Sequence, residues 1–464
     1  MTPTAARLPA RVHGPSASQK ISHVIVIVQE NRSFENFFAG YPGANAPTSG
    51  CAKPINAVRR SVAPRRVRRT TGSGCPSGDV TVQLTQGSFE NNPDARHDWR
   101  SAHADYDNGL MDGFSSYGNN KGPDGAYMYI KQSEVAPYWS MAQQYVLADN
   151  MFSTEFGGSF TGHLNLIAGT DDLNPPNKAE VDFPSKAPDD CDSPRGTKSS
   201  YLGKNGFVFR DQGPFPCFYQ FNSIAQVLDG ATVPWKIYAP KVLDGGFWEP
   251  FEELAYVRCA TWSVPIKGPQ NCYGQGQDWQ TNIIAPETQV LSDATNGNLA
   301  SVNWVIPSKP DSDHPKYRSD MGPSWVSSVV NAIGESSYWS TSAIIVVWDD
   351  WGGFYDNAPP PQLDYRGLGI RIPCLIISPY AKQNYVSHVQ YEDGSILRFI
   401  EEVYGLPAGS IGPTSKGYTD GRANTLDDAF DFNQSARPFY PISSKYPMSR
   451  FVHEVPSYGP VDEE

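Results

Sequence analysis

Long apolar runs are absent from this 464-residue sequence, and none approaches the roughly 18 consecutive apolar residues of a membrane-spanning helix. The sequence therefore predicts no transmembrane segment. Basic residues are also in the minority, with a formal net charge of -12. This balance argues against a general nucleic-acid-binding protein, whose domain is usually strongly basic. Proteins or phosphate esters bound through a local positive site stay open as partners.

The seven cysteines contain no CxxC pair, which argues against a structural zinc site. Cys374 lies inside the apolar stretch IPCLIIS and is predicted to be a core residue. The other six lie in Gly/Pro/polar loop sequence and are predicted to form disulfides, which indicate export. Pairing of sequence neighbours is one of many connectivities, and spacing alone does not choose among them. In that pairing the bonds are Cys51–Cys75, Cys191–Cys217 and Cys259–Cys272.

The N-terminal stretch MTPTAARLPARVHGPSASQK lacks the apolar core of a signal peptide, so such a peptide is either removed or absent. Because the cysteines indicate export, the predicted localisation is secreted or periplasmic.

Short apolar runs alternate with segments of helical period, and this alternation is typical of an α/β fold. Val24 to Val28 is β-branched without alternation, as in a strand that is covered on both faces of a parallel sheet. Further predicted strands are VPWKIYA, ASVNWVIP, SAIIVVW and IPCLIIS. PSWVSSVVNAIGESS and GSILRFIEEVYG are predicted amphipathic helices.

The chain contains neither an internal repeat nor a clear linker, so one domain with long loop insertions is predicted. We expect a lead-in of little structure over residues 1–20, a catalytic domain over 21–435 and an extended tail over 436–464. The loops around 41–95 and 170–225 are the main insertions. One of them carries the arginine-rich sequence VRRSVAPRRVRR, which is either a solvated loop or a contact for an anionic lipid or phosphate-rich surface.

Two of the predicted strands end in acidic and amide residues. Glu30 and Asn31 follow the first strand, and Asp349 and Asp350 follow SAIIVVW directly. The ligand crevice of an open parallel sheet lies beyond the carboxyl ends of its strands. Four oxygen ligands, three of them anionic, suit a divalent cation and repel one another without it. The alternative is a pair of ordinary solvated strand ends.

The stretch STEFGGSFTGHLNLIAGT places glycines before Ser159 and an apolar, helix-like segment after it. A serine at a helix N-terminus lies where free N–H groups favour a phosphate, so Ser159 is a candidate nucleophile. The alternative is an ordinary helix cap. The stretch lacks the GxSxG elbow because Thr161 stands in place of the second glycine, which disfavours an α/β-hydrolase triad.

Six motifs together resemble the bacterial acid phosphatase and phospholipase C family of phosphoesterases, which shares the alkaline-phosphatase-like core. They are QENRSFENFFAGYPG, HDWRSAHADYDNGLMDGF, GGSFTGHLNLIAG, DHPKYRSDMGPSW, WDDWGGFYDN and SPYAKQNYVSHVQYEDGSILRFIEEVYGL. The order and spacing of these motifs match those of the family from about residue 21 to 435. The resemblance implies an alkaline-phosphatase-like three-layer α/β sandwich with a central, mostly parallel sheet.

The resemblance also implies roles for seven residues. The implied metal ligands are Glu30, Asn31, Asp349 and Asp350 together with the nucleophile Ser159, and the implied phosphate-contacting or proton-transferring residues are His97 and His314. The metal is a divalent ion of unspecified identity, with Zn, Ca, Mg and Mn as candidates. Relatives usually read like GPSxPNH where this chain has Gly158, Thr161 and Gly162. The histidine pair that some members carry in mid-chain has no counterpart between His163 and His314.

The predicted function is that of a secreted, metal-dependent phosphoric ester hydrolase that forms a phosphoserine on Ser159. Its expected substrates are phosphate esters, with phospholipid head groups and peripheral membrane contact as open alternatives. A different reading is a catalytically silent lipid- or surface-binding protein on the same scaffold. A sulfatase is disfavoured because no C/S-x-P-x-R motif occurs at Ser159. The aromatic residues Trp235, Trp248, Phe251 and Trp262 are expected to pack in the core or to line an entrance.

Overall fold

The computed structural model describes residues 16–54, 69–70, 74–76, 78–115, 125–173, 179–203, 206–240 and 248–454. The arginine-rich segment lies outside these residues except for the backbone of Arg69, and so does most of the predicted lead-in over residues 1–20.

The strands of the described residues are β1 His23–Gln29, β2 Ser49–Ala52, β3 Arg69–Thr70, β4 Val80–Gln83, β5 Thr85–Gly87, β6 Met128–Ile130, β7 Val146–Ala148, β8 Ala179–Pro184, β9 Ser199–Gly203, β10 Val208–Phe209, β11 Trp235–Tyr238, β12 Cys259–Trp262, β13 Cys272–Gln275, β14 Ile283–Ile284, β15 Val302–Val305, β16 Ser342–Trp348, β17 Cys374–Ile377 and β18 Tyr385–Ser387.

The α-helices are α1 Ala17–Lys20, α2 Phe34–Phe38, α3 Trp99–Tyr106, α4 Ala136–Gln144, α5 Ser159–Ala168, α6 Ile224–Gly230, α7 Ala255–Arg258, α8 Gln277–Thr281, α9 Gln289–Asn296, α10 Gly322–Gly334, α11 Asp393–Val403 and α12 Met448–Val452. None of the described helices has the length and apolar character needed to cross a membrane.

Eight strands form the central sheet in the order β14-β11-β15-β1-β16-β17-β7-β18. All neighbouring pairs are parallel except those of β17, which runs antiparallel to β16 and β7. Strands β1, β15, β16 and β17 are buried along nearly their whole length, so both faces of the sheet are covered. This arrangement confirms the predicted α/β class, the mostly parallel sheet and the main strands.

Two groups of helices cover the sheet. Helices α1, α5, α6 and α11 contact one another in one group, and α10 contacts α4, α9 and α12 in the other. A sheet buried on both faces between two helical groups is a three-layer sandwich. Helices α10 and α11 confirm the two predicted amphipathic segments, and α11 ends before Gly405, whose φ of 68° suits glycine.

Three disulfides link Cys51–Cys75, Cys191–Cys217 and Cys259–Cys272, which confirms the pairing of sequence neighbours. Cys374 is buried and reduced in β17, as predicted.

The tail after residue 436 packs against α10. Asn331 exchanges two hydrogen bonds with the backbone of Ile442, at 2.8 and 2.9 Å. Phe451, in α12, is buried with its ring centroid 5.6 Å from that of Trp325. The division of the chain at residues 20 and 435 stays a prediction.

Arg371 joins three segments that follow strands of the central sheet. Its fully buried guanidinium donates to both carboxylate oxygens of Asp356 at 3.0 and 3.1 Å, to the Asp149 carbonyl at 2.6 Å and to the Asn45 carbonyl at 2.9 Å. It also lies 4.4 Å from the ring centroid of Phe34. A buried charge with this many partners stabilises the loops on which the sheet edge depends.

We expect Arg371→Met to lower the free energy of unfolding by about 3–5 kcal/mol, because Asp356 is left buried without its counter-charge. Urea unfolding followed by tryptophan fluorescence measures the change. The control is Lys445→Met, since Lys445 is 64 % exposed where it pairs with Asp320 at 2.5 Å. A surface pair contributes roughly 0–1 kcal/mol. Equal losses in the two variants would contradict the role given to Arg371.

Candidate active site

The parallel register of β1 and β16 brings the two acidic strand ends together. Gln29 lies opposite Trp348 at the end of the ladder, so Glu30 and Asp349 leave the sheet side by side. Both are buried. The backbone N–H of Asn31 donates to Asp349 Oδ1 at 2.9 Å, with Asn31 in the left-handed region at a φ of 54°.

Asp350 is held in place by the turn that follows it. The Gly352 N–H donates to Asp350 Oδ1 at 2.7 Å. Gly352 has a φ of 61°, and a Cβ there would lie 2.1 Å from the Asn31 carbonyl oxygen. Only glycine fits this position, because both the backbone conformation and the space exclude a side chain. The turn at Gly352 thus carries Asp350 to the same centre as Asp349.

Ser159 is the first residue of α5 and follows the helix cap Gly158, as the sequence predicts. Its Oγ lies 3.4 Å from Asp350 Oδ2, 3.5 Å from Glu30 Oε2 and 3.1 Å from Asn31 Nδ2. Gly162, one turn later, sits against the Asp349 carbonyl, which a Cβ would approach to 2.7 Å. The helix therefore lies directly on the strand end.

His163, in the motif GGSFTGHLNLIAG, is a site residue for which no role was predicted from the sequence. Its Nε2 donates to Glu30 Oε1 at 2.8 Å and lies 3.9 Å from Asp349 Oδ2. The signal that points to it is its spacing, since His163 follows Ser159 by four residues and shares its face of α5. With its proton on Nε2 the imidazole orients Glu30, and the same nitrogen becomes a metal ligand only when that proton is lost.

His97 contacts the site through Asn31. Its Nδ1 donates to the Ala95 carbonyl at 2.6 Å, and its Nε2 accepts from Asn31 Nδ2 at 2.7 Å. This pattern assigns a neutral ring with its proton on Nδ1. Nε2 also lies 3.9 Å from Asp350 Oδ2.

His314 lies beside His97, with 6.1 Å between the ring centroids. Its Nδ1 accepts the Lys316 N–H at 3.1 Å, so a neutral His314 ring carries its proton on Nε2. Arg32 supports this segment because its guanidinium donates to the Asp313 carbonyl at 2.5 and 2.9 Å. Burial lowers the pKa of Arg32 to about 9 and raises that of Asp313 to about 7.

Trp248 forms one wall of the site. Its ring lies nearly parallel to those of His163 and His314, at centroid distances of 6.2 and 5.7 Å. Trp248 is 6 % exposed and has a φ of 55°. Trp235 and Phe251 are core residues, with 4.7 Å between their centroids, whereas Trp262 is 38 % exposed. Core packing, the first expectation for these aromatic residues, thus applies to Trp235 and Phe251, whereas Trp248 lines the site.

The residues present fit a divalent cation. Glu30, Asp349 and Asp350 are at most 1 % exposed, and carboxylates buried this close repel one another. Ligand atoms of Glu30, His163 and Asp349 lie within 4.8 Å of one another. Asp349 Oδ2 is buried and accepts no hydrogen bond from the described residues. Asn31 presents Nδ2 to Ser159, so its amide must turn before its oxygen can serve as a ligand.

A family model described as the Phosphoesterase family matches residues 21–407, which is most of the chain. The chain belongs to this family. Membership confirms the resemblance stated above and the predicted reaction class, hydrolysis of phosphoric ester bonds.

Two curated relatives are similar over most of this phosphoesterase. Phospholipase C B of Mycobacterium tuberculosis is 23 % identical over 92 % of this chain and 81 % of that protein. The non-hemolytic phospholipase C of Pseudomonas aeruginosa is 23 % identical over 90 % of this chain and 58 % of that protein. The chain therefore spans little more than half of the second relative.

Among solved structures, a protein in the alkaline phosphatase superfamily from Vibrio parahaemolyticus is 11 % identical, with a TM-score of 0.36. It matches 86 % of this chain and 71 % of its own. The fold class of the phosphoesterase rests on its own sheet and flanking helices.

We expect Gly352→Ala to lower hydrolysis of a phosphate ester by about a hundredfold, because the added Cβ displaces Asn31 and with it the site geometry. The rate is measured with p-nitrophenyl phosphate at saturating substrate. Gly405→Ala is the matched control, since Gly405 has a similar φ of 68° but nothing within 4 Å of its Cβ position. The control should lose about 1–2 kcal/mol of stability and keep its rate. Similar rates in both variants would show that the contact with Asn31 is unimportant.

Proposed function

We propose that the protein is an exported, metal-dependent phosphodiesterase of the phospholipase C type whose nucleophile is Ser159. The observation that carries this proposal is the position of Ser159 Oγ, within 3.5 Å of Glu30, Asn31 and Asp350 at the N-terminus of a ten-residue helix. The partial positive charge of that helix end favours the phosphate of a substrate. The similarity to two phospholipases C supports the choice of ester class.

Export is proposed from the three disulfides, which persist in oxidising compartments.

The residues that would hold the metal are Glu30, Asp349, Asp350 and Ser159, with Asn31 as a ligand once its amide turns. The nitrogen of His163 is a further ligand candidate beyond the predicted set, since it lies with the Glu30 and Asp349 oxygens. A bound divalent ion supplies charge neutralisation for the carboxylates and phosphate and lowers the pKa of a nearby hydroxyl. Carboxylates suit Ca, Mg and Mn, and the imidazole also suits Zn.

In the proposed reaction, Ser159 Oγ attacks phosphorus and gives its proton to a neighbouring carboxylate, for which Asp350 Oδ2 is the nearer at 3.4 Å. The bond from Oγ to phosphorus forms as the bond from phosphorus to the leaving oxygen breaks. Water then attacks phosphorus as the bond from phosphorus to Oγ breaks, and the carboxylate returns its proton to Oγ. The proton that the water loses restores the group that protonated the leaving oxygen. In-line positioning of the phosphate between Ser159 and the leaving oxygen accounts for much of the rate.

We assign protonation of the leaving oxygen to His314 rather than to His97. The proton of a neutral His314 is on Nε2, because Nδ1 accepts from Lys316. The proton of a neutral His97 is on Nδ1 and is donated to the Ala95 carbonyl. With the Asn31 amide as it stands, His97 acts as its positioning residue, whereas His314 has the tautomer that proton donation needs. Once the amide turns, its oxygen faces His97 Nε2, which must then carry a proton as well.

We expect Ser159→Ala to fold normally and to lose turnover on the order of a thousandfold or more, because the covalent route is removed. Mass spectrometry of acid-quenched wild-type protein should show a phosphorylated adduct on Ser159 that the variant lacks. Ser328→Ala is the control, since that buried serine lies in α10 and donates to the Ser324 carbonyl. Full turnover in Ser159→Ala would remove the serine from the reaction.

A chelator should abolish turnover, and re-addition of a divalent metal should restore it, because the buried carboxylates lose their counter-charge. Release of p-nitrophenol is compared for p-nitrophenylphosphorylcholine and p-nitrophenyl phosphate, with and without chelator. We expect the choline diester to be preferred. Preference for the monoester would instead make the protein a phosphatase, and chelator-resistant turnover would contradict metal dependence.

A further inference from the structure

A second group of buried carboxylates lies in two loops outside the site at Ser159, and we call it the acidic loop cluster. It consists of Asp189, Asp190, Asp192, Glu249, Glu252 and Glu253. Five members are at most 9 % exposed, and the Asp192 side chain is 30 % exposed. Arg258 donates to both carboxylate oxygens of Asp192 at 2.6 Å and lies 3.9 Å from Glu252 Oε1. Arg258 thus offsets part of the negative charge of the cluster.

Two carboxylate oxygens of the acidic loop cluster are buried without a donor. Asp190 is 3 % exposed, and its Oδ1 accepts the Asp192 N–H at 2.6 Å. Its Oδ2 accepts no hydrogen bond from the described residues, and the same holds for Oε2 of Glu253, which is 9 % exposed. Burying a carboxylate oxygen without a partner is costly, so these atoms indicate a missing positive ligand.

The spacing of the oxygens fits a single ion. Asp190, Asp192 and Glu252 each offer one oxygen, and these three atoms lie within 4.8 Å of one another. Glu253 belongs to the same electrostatic group, since the charge of Asp190 contributes to the raised pKa of its carboxyl. Glu249 is left out of the ligand set, because its two carboxylate oxygens accept hydrogen bonds from the Phe251 and Glu252 N–H groups at 2.9 and 3.0 Å.

The backbone fixes the two loops relative to each other. The Cys191–Cys217 disulfide lies between Asp190 and Asp192, and the Cys191 N–H donates to the Glu252 carbonyl at 3.3 Å. The Phe218 N–H donates to the Glu253 carbonyl at 2.6 Å. Because a disulfide and backbone hydrogen bonds already hold the two loops in place, a ligand can bind the cluster without having to order the loops first.

Protons are the alternative means of neutralising these groups. Burial and neighbouring charges raise the pKa of Asp190 to about 7 and that of Glu249 to about 8, and they raise the pKa of Glu253 well above its usual value. Near neutral pH the cluster therefore takes up either protons or a cation. Only the cation-bound state depends on added Ca²⁺.

We propose that Asp190, Asp192 and Glu252 form a calcium site that is separate from the centre at Ser159, with the Glu253 carboxylate as a neighbouring negative charge. An all-oxygen, irregular set of carboxylates suits Ca²⁺, which accepts six to eight oxygens, better than Mg²⁺, which demands octahedral geometry and keeps its waters. The ion stabilises the turn over residues 248–253, whose first residue, Trp248, lies between His163 and His314. Calcium binding at this site does not require the reaction proposed for Ser159.

The test compares the melting temperatures of chelated proteins as Ca²⁺ or Mg²⁺ is added, together with calcium binding by equilibrium dialysis. Asp190→Asn/Glu253→Gln removes the calcium site, and Asp349→Asn/Asp350→Asn removes carboxylates of the centre at Ser159. We expect Ca²⁺ to raise the melting temperature of the wild type and of Asp349→Asn/Asp350→Asn by a few degrees. In Asp190→Asn/Glu253→Gln the rise disappears, and calcium binding at this site weakens by at least about tenfold.

The chelated Asp190→Asn/Glu253→Gln protein should be as stable as chelated wild type or more stable, because two repelling charges are gone. Asp190→Asn alone serves if the double variant fails to fold. The proposal is overturned if Ca²⁺ stabilises none of the proteins, which would leave protons as the neutralising agent. It is also overturned if the rise is lost in Asp349→Asn/Asp350→Asn alone, or if Mg²⁺ acts as strongly as Ca²⁺.

Discussion

The structure depends on one constraint, the placement of three carboxylates at a single buried point of the sheet edge. The parallel register that sets Gln29 opposite Trp348 brings Glu30 and Asp349 together, because the next residue of each strand is acidic, and the turn at Gly352 adds Asp350. Their repulsion is reduced by backbone N–H groups, from Asn31 to Asp349 and from Gly352 to Asp350. The surrounding fold has to hold this arrangement rigid, and strands buried on both faces do so.

Much of this arrangement could be predicted from sequence because its determinants are local. Unbroken β-branched runs identify central strands, and acidic residues directly after them fall at one edge of a parallel sheet. The glycines before Ser159 and the apolar residues after it predict a helix that begins at the serine, and α5 does so. Cysteines 13 to 26 residues apart pair with their neighbours in all three bonds.

Other features could not be predicted, because they depend on contacts between distant segments. Trp248 reaches the site from a loop that no motif marks, and its stacking on His163 and His314 requires three separate parts of the chain to meet. The tautomers of His97 and His314 are set by backbone groups two residues away in sequence, whose direction depends on the local turn. The hydrogen bonds of the buried Arg32 guanidinium could not be predicted for the same reason, since their acceptor, the Asp313 carbonyl, belongs to a distant segment of the chain.

The two carboxylate groups differ in how the chain supports them. The centre at Ser159 lies on the central sheet and α5, whereas the acidic loop cluster lies on loops that a disulfide and backbone bonds connect. Glu249 directly follows Trp248 in sequence. The residue that forms a wall of the centre at Ser159 and the loop that carries part of the acidic loop cluster therefore belong to one continuous segment. A change in the conformation of that segment therefore affects both the centre at Ser159 and the acidic loop cluster.

Gly162 has a wider consequence. Because it rests on the Asp349 carbonyl, the separation between the helix bearing Ser159 and the strand end is set by main-chain contact and not by the size of any side chain. Core residues behind the site can then be exchanged during evolution while the distance over which the reaction occurs stays constant. A main-chain spacer of this kind suits a chain that is 23 % identical to a relative over 92 % of its length.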